Sequence, residues 1–320
     1  NTQINDEDNA KLEIVRAATK HLRSRSSVTL AIEFFKHRDN IVPLLTTYRQ
    51  MIKQRGKFGA NDRIILMEDG GNDGSFEIML KNLRGPAEMI ICMNNVHEIR
   101  AYSRSLHISH TDIWVMLQDD DLPVSSRRVS ESWLENALKM FDAYPSLGGI
   151  SLLCSYTSAY VYGNAWGHCK ASEGVPTIDP CTGVEFMFAI SGDSSPLFYR
   201  RSALEESGGL LFSWSFPIQV QEDSISFSVE KSYSYMVGAE AEVAFRMWRN
   251  GYSWGSMRAP GIIRSFGGKA TYHGIERKKA MDTDLPDKMK WRRYLLWRQN
   301  RRMKAETARL YPFEERIKIS

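Results

Sequence analysis

Asp119, Asp120 and Asp121 stand in a row directly after the apolar run DIWVMLQ, and Leu122 and Pro123 follow them. Three adjacent carboxylates repel one another, and the repulsion grows beside a low-dielectric core, so the arrangement calls for a cation or generous solvation. Two readings are open. An acidic loop that caps the next helix accounts for one or two of the aspartates. A divalent cation accounts for all three, because hard carboxylate oxygens at a strand end bind Mg2+ or Mn2+ and leave coordination positions for the oxygens of a diphosphate. Such an ion would stabilise a departing phosphate, which is leaving-group chemistry. A second acidic pair, Glu68 and Asp69, ends another apolar run, RIILMED. Arg100 and Arg104 lie between the two clusters, where they can meet a base or a diphosphate or can be ordinary surface arginines.

The elements that must carry these residues follow from hydrophobic patterning. SVTLAIEFF (27–35) is nearly continuous in apolar residues, as a strand buried on both faces is, RIILMED (63–69) reads as a second buried strand, EMIICMNN (88–95) as a third strand and DIWVMLQ (112–118) as a fourth, buried one. IVPLLTTYRQMIKQ, SFEIMLKNL and HEIRAYSRSLHIS have helical spacing and lie between them, and GGNDGS marks the turn after the second strand. Four strands alternating with helices predict a parallel, doubly wound sheet. Ligands of such sheets bind at the carboxyl ends of the strands, where both acidic clusters fall, so the two are expected on one rim. SRRVSESWLENALKMFDAYP places Val129, Trp133, Leu134, Ala137, Leu138 and Phe141 on one face, as a helix covering a sheet does. Residues 150–240 mix short strands, glycines and aromatics, which suits a second half that shapes a pocket.

Composition narrows the classes. The chain has 320 residues, 42% of them hydrophobic, enough for a large α/β core. Its 42 basic and 38 acidic residues balance too closely for nucleic-acid binding by charge. No apolar run reaches the length of a membrane span. Cys92, Cys154, Cys169 and Cys181 lack CxxC spacing, which argues against zinc; Cys154, Cys169 and Cys181 could supply a disulfide but are read in preference as reduced core thiols. The chain contains no N-x-[ST] sequon. KMKWRRYLLWRQNRRMK (288–304) is basic and amphipathic; it can dock on the domain with snorkelling arginines or lie on an anionic membrane surface.

Taken in order, VTLAIEFF, IILMEDGGNDGS, DIWVMLQDDDLP, ISGDSSPLFYRRSALEESGGL and AEAEVAFRMWRNGY resemble the nucleotide-sugar transferases of the GT-A fold, most closely the inverting family 2 glycosyltransferases, over about residues 27–265. The resemblance implies a Rossmann-like, mostly parallel sheet flanked by helices with a mixed acceptor-binding second half. It implies that Asp69 contacts the nucleotide base or ribose, and that Asp119, Asp120 and Asp121 form the DxD region with Asp120 as the direct metal ligand; Gln118 stands where one register puts the family's first aspartate. It places a catalytic base at Glu240, with Arg246 and Gly251-Tyr252 following as in the family motif. A carboxylate there would take the proton of an acceptor hydroxyl, although a solvated helix face is the competing reading. Glu222 and Asp223 in QVQEDS are rivals for that role. Gly192 and Asp193 would lie near the sugar, Phe198, Tyr199 and Leu204 in the core. His273 would add a metal or phosphate ligand, unless it is structural.

The expected organisation is an N-terminal helical arm (1–26), a catalytic domain (27–275, divided into a nucleotide half, 27–123, and an acceptor half, 124–275) and a basic helical segment (276–320). The expected activity is Mn2+- or Mg2+-dependent transfer of a sugar from a nucleotide-sugar, UDP-linked by preference, to a hydroxyl of a glycan or lipid-linked acceptor with inversion. A nucleotidyltransferase acting on sugar phosphates and a non-catalytic carbohydrate-binding protein are the alternatives; the loop KHRDN lacks the glycines that the former brings after its first strand. Cytoplasm, with peripheral membrane contact through 288–304, is favoured over a Golgi lumen with a trimmed anchor.

Overall fold

The computed structural model describes residues 24–93, 98–119, 121–123, 133–154, 177–188, 196–210, 239–259 and 262–264. The first four strands are β1 (Val28–Phe34), β2 (Arg63–Glu68), β3 (Glu88–Cys92) and β4 (Ile113–Gln118), each within a residue or three of its expected bounds. Between them run α1 (Ile41–Gln54), α2 (Ser75–Asn82) and α3 (Glu98–Ile108). All four strands are parallel, in the order β3-β2-β1-β4. Val28, Leu30, Ile32 and Phe34 of β1 face one layer, with Leu44, Leu45 and Tyr48 of α1. Ala31 faces the other, with Ala101, Tyr102 and Leu106 of α3. With both faces covered, every residue of β1 except the half-buried Glu33 is buried.

The alternation stops after β4. A short strand, β5 (Asp121–Pro123), is followed by α4 (Trp133–Ala143), β6 (Leu147–Cys154), β7 (Thr177–Ile178), β8 (Glu185–Phe188), β9 (Leu197–Arg200), α5 (Arg201–Glu206), α6 (Ala239–Arg249), β10 (Ser253–Ala259) and β11 (Ile262–Arg264). β9 runs antiparallel between β4 and β6, and β10 is parallel to β6, so one sheet of nine strands passes through both halves. The expected core residues Phe198, Tyr199 and Leu204 are buried, and so are Trp133, Leu134, Ala137, Leu138 and Phe141 on α4. Val129 lies outside the described residues. Close approach of side chains requires glycine in the second half: a Cβ on Gly255 would fall 1.9 Å from the ring of Phe186.

β3 is the edge of the sheet, and its Met89 is 48% exposed. One expectation needs correction: Cys181 is a free thiol but is exposed and not in the core, and Cys92 is likewise free and exposed.

At the end of the sheet opposite the strands' carboxyl ends, Arg55 is buried and binds two carboxylates at once. Its Nε donates to Asp62 at 2.7 Å and its Nη1 to Glu135 at 2.7 Å. Asp62 also accepts from the N–H of Val28, and Glu135 from the N–H of Ser24. Ser24–Ser26, placed by sequence in a separate arm, are thereby tied to α4; residues 1–23 lie outside the description.

Candidate functional site at the carboxyl rim of the sheet

Strand register fixes which residues share the rim. Phe34 pairs with Glu68, Glu68 with Cys92, and Glu33 with Gln118, so the loops after β1, β2 and β4 emerge side by side. β1 is flanked by β2 and β4, and adjacent strands lie about 4.8 Å apart, so the Asp69 and Asp119 positions sit about 10 Å apart across β1. The order β3-β2-β1-β4 reverses direction between β1 and β4, and ligands of doubly wound sheets bind at such a switch point. The two acidic clusters do share one rim.

On the β4 side, the buried Asp119 is bound into the loop that leaves β1. Its Oδ2 accepts from the N–H of Phe35 at 2.9 Å, and its backbone carbonyl accepts from Nδ2 of Asn40 at 2.8 Å. The Nδ1 of His37 lies 2.9 Å from Asp119 Oδ1. In the same loop Lys36 has a φ of 65°, a left-handed conformation uncommon for a residue with a side chain, and its Nζ lies 5.0 Å from the centre of the half-buried Phe35 ring. In the sequence KHRDN is a polar loop and no more. The signal available was positional: the loop follows the first strand of a sheet whose fourth strand ends in carboxylates.

On the β2 side, Asp69 is buried and its N–H donates to Phe34 O at 3.2 Å. Glu68 Oε1 accepts from the N–H of Gly71 at 2.8 Å and so shapes the turn that follows. A Cβ on Gly71 would fall 3.0 Å from Lys36 N, so the turn needs glycine to lie against the β1 loop. Arg38 Nη1 donates to Asp73 O at 3.1 Å and ties the two loops together. Asp73 in turn accepts from the N–H and hydroxyl of Ser75 at the start of α2, and these bonds hold its carboxyl below the usual carboxylate range against the opposing effect of burial, the largest single influence on it.

The rest of the candidate site is placed by topology. Arg100 lies in the first turn of α3, near the rim, whereas Arg104 is exposed one turn farther from it. α6 joins β10 through only Asn250, Gly251 and Tyr252, so it packs back along that strand. β10 runs in the same direction as β4, and the start of α6, which carries Glu240, therefore returns to the rim. Arg246 lies about 9 Å farther along the helix. There it donates to the carbonyls of Ser207 and Gly209, fastening α6 to the ESGGL turn; it is a fastening of the helix, away from the rim. Asp121 falls in β5, in register with Arg264 of β11. Asp120, Gly192, Asp193, Glu222, Asp223, His273 and the basic stretch 288–304 lie outside the described residues.

Among the described residues, no three His, Cys, Asp or Glu side chains are grouped so as to hold a metal ion. Both carboxylate oxygens of Asp119 already have protein neighbours. Asp120 and the side chain of Asp121 lie outside the described residues; as residue types they are hard oxygen donors that follow Asp119 in the chain. Mg2+ and Mn2+ are commonly held by one or two carboxylates with phosphate oxygens and water completing the shell, so these two residues suit such an ion without a third side chain. Among the described residues, no helix is long and apolar enough to cross a membrane.

No protein-family model and no curated protein matches the chain. Among solved structures, the chain is similar to the mannosyltransferase PcManGT from Pyrobaculum calidifontis in complex with GDP-Man and Mn2+, with a TM-score of 0.50 and 15% identity over 85% of this chain and 69% of that one. TarS 1-349 of S. aureus aligns with a TM-score of 0.43 and 12% identity over 74% of this chain and 59% of that one. At such identity the likeness to the mannosyltransferase is one of architecture. The mixed, mostly parallel sheet flanked by helices is a Rossmann-like GT-A fold, as the order of motifs led one to expect.

Proposed function

We propose that this protein is a metal-dependent glycosyltransferase that moves a sugar from a nucleoside-diphosphate sugar to a hydroxyl of a glycan or lipid-linked acceptor. One observation carries the reading: on a GT-A sheet, the Asp69 and Asp119 loops flank the β1 loop at the switch point, and α6 returns Glu240 to the same rim. Asp69 contacts the base or ribose, and Glu68 holds the turn beside it through Gly71. Asp120 and Asp121 hold the cation, which when bound neutralises the diphosphate and eases its departure. Arg100 is the nearer of the two arginines to that charge, and Asp193 and His273 complete the sugar and phosphate ends of the donor.

Glu240 accepts the proton of the acceptor hydroxyl while the hydroxyl oxygen bonds to the anomeric carbon. The bond from that carbon to the diphosphate oxygen breaks on the opposite face, and configuration inverts. Glu222 and Asp223 are the alternative acceptors of the proton. The sequence favours UDP and the similar mannosyltransferase holds GDP-Man, so both nucleotides belong in the test.

The test is consumption of UDP- and GDP-sugars with Mn2+ or with chelator. The proposal expects metal-dependent release of one nucleotide, loss of both transfer and donor hydrolysis in Asp120→Ala, and loss of transfer with donor binding retained in Glu240→Gln. Undiminished turnover in Asp120→Ala, or no consumption of any donor, contradicts it.

A further inference from the structure

We propose that His37 and Asp119 are positioning residues of the acidic turn, and that Asp119 contacts neither nucleotide nor metal. The inference rests on the glycosyltransferase reading for its consequence, but the clamp itself is a property of the fold. Three groups from one short stretch converge on Asp119. The Phe35 N–H takes Oδ2 at 2.9 Å, the His37 imidazole lies 2.9 Å from Oδ1, and the Asn40 amide takes the backbone carbonyl at 2.8 Å. Both carboxylate oxygens and the peptide oxygen are thus engaged by the β1 loop. The His37 and Asp119 side chains are 9% and 11% exposed, leaving little carboxylate surface for a ligand.

The peptide that Asn40 holds is the one from which the chain continues to Asp120 and Asp121. The turn is thus fixed at its first residue before any ligand arrives. Preorganisation of this kind removes an ordering cost from binding. The triplet then divides its labour: Asp119 faces the protein, and its two successors serve the ligand. This also accounts for a row of three carboxylates where a cation needs only one or two.

The test compares isosteric and truncating variants with two readouts: hydrogen exchange of the Phe35 amide, measured without ligand, and affinity for UDP and GDP with Mn2+ by calorimetry. Asp119→Asn keeps an oxygen for the Phe35 N–H and should retain its protection and bind nucleotide within about threefold of the native protein. Asp119→Ala should lose protection and weaken binding by about tenfold or more. His37→Ala should do the same by about three- to tenfold, and His37→Asn, whose amide reaches about where Nδ1 lies, should restore both.

A large loss of affinity in Asp119→Asn with Phe35 protection intact would show the carboxylate on the ligand and overturn the proposal. So would a His37→Ala protein unchanged in both readouts. Where Asp119→Ala does not fold, Asp119→Asn and the two His37 variants decide. If the native protein binds neither nucleotide, the glycosyltransferase reading fails by itself, and the exchange data still decide whether the clamp exists.

Discussion

Arg55→Met removes the single cation from a buried site with two carboxylates. Methionine fills much of the same space, so the loss is chiefly electrostatic. Asp62 and Glu135 would remain beneath the sheet without the guanidinium that binds each at 2.7 Å. Removing one member of such a buried network costs about 3–5 kcal/mol, a large part of the 5–15 kcal/mol that typically holds a domain folded. The loss should depend on pH in a definite direction. Burial, assisted by the charge of Glu135, raises the Asp62 carboxyl above its ordinary value despite Arg55 and the Val28 N–H. A raised group binds its proton more tightly in the folded protein. Its stabilising contribution is therefore complete below about pH 3.9 and is lost as pH rises through the folded value. Without Arg55 that value rises further, so the deficit of the variant should shrink as the pH is lowered from 8 into the acid range. Urea unfolding of both proteins across this range reads the difference directly. A variant within about 1 kcal/mol of the native protein at pH 8, or a deficit that does not shrink on acidification, would refute this account of the network.

Two further perturbations test the second half. Gly255→Ala places a methyl 1.9 Å from the Phe186 ring and should lower stability by about 1–3 kcal/mol, with part of the loss recovered by Phe186→Leu; thermal melting that shows no change would mean the strands shift freely. Arg246→Met releases α6 from the carbonyls of Ser207 and Gly209 and should reduce sugar transfer by about tenfold while leaving nucleotide affinity, measured by calorimetry, nearly unchanged. Equal losses in both would place Arg246 on the donor side.

The first half of the chain, 27–123, was its most legible part, because a strand covered on both faces is mostly apolar. VTLAIEF shows this, and so does the exact span of α1, whose Leu44, Leu45 and Tyr48 recur at helical spacing. β9 was legible only as core. Four residues, LFYR, carry no period, and their antiparallel placement between β4 and β6 depends on contacts far away in the chain. The edge position of β3 was hidden for the same reason: EMIIC reads alike whether or not a neighbour covers it. In the site, the convergence of Glu68, Asp69 and Asp119 followed from strand ends, which sequence reveals well. The contacts of His37 and Asn40 with Asp119 did not, since a polar loop gives no sign of which distant carboxylate it will meet. Arg55, Asp62 and Glu135 were missed because each looks like a solvated charge until the fold brings the three together.

On this proposal the rim at the β1/β4 switch point takes a nucleoside diphosphate through a divalent cation held by the acidic turn. Anomalous diffraction from crystals grown with Mn2+ and UDP, and in parallel with Mn2+ and GDP, tests it most directly. The account predicts a manganese peak within coordinating distance of Asp120 or Asp121, diphosphate oxygens on the same ion, and the base beside Asp69, with Asp119 still bound to Phe35. Clear nucleotide density elsewhere on the protein, or manganese bound away from this turn, would contradict it.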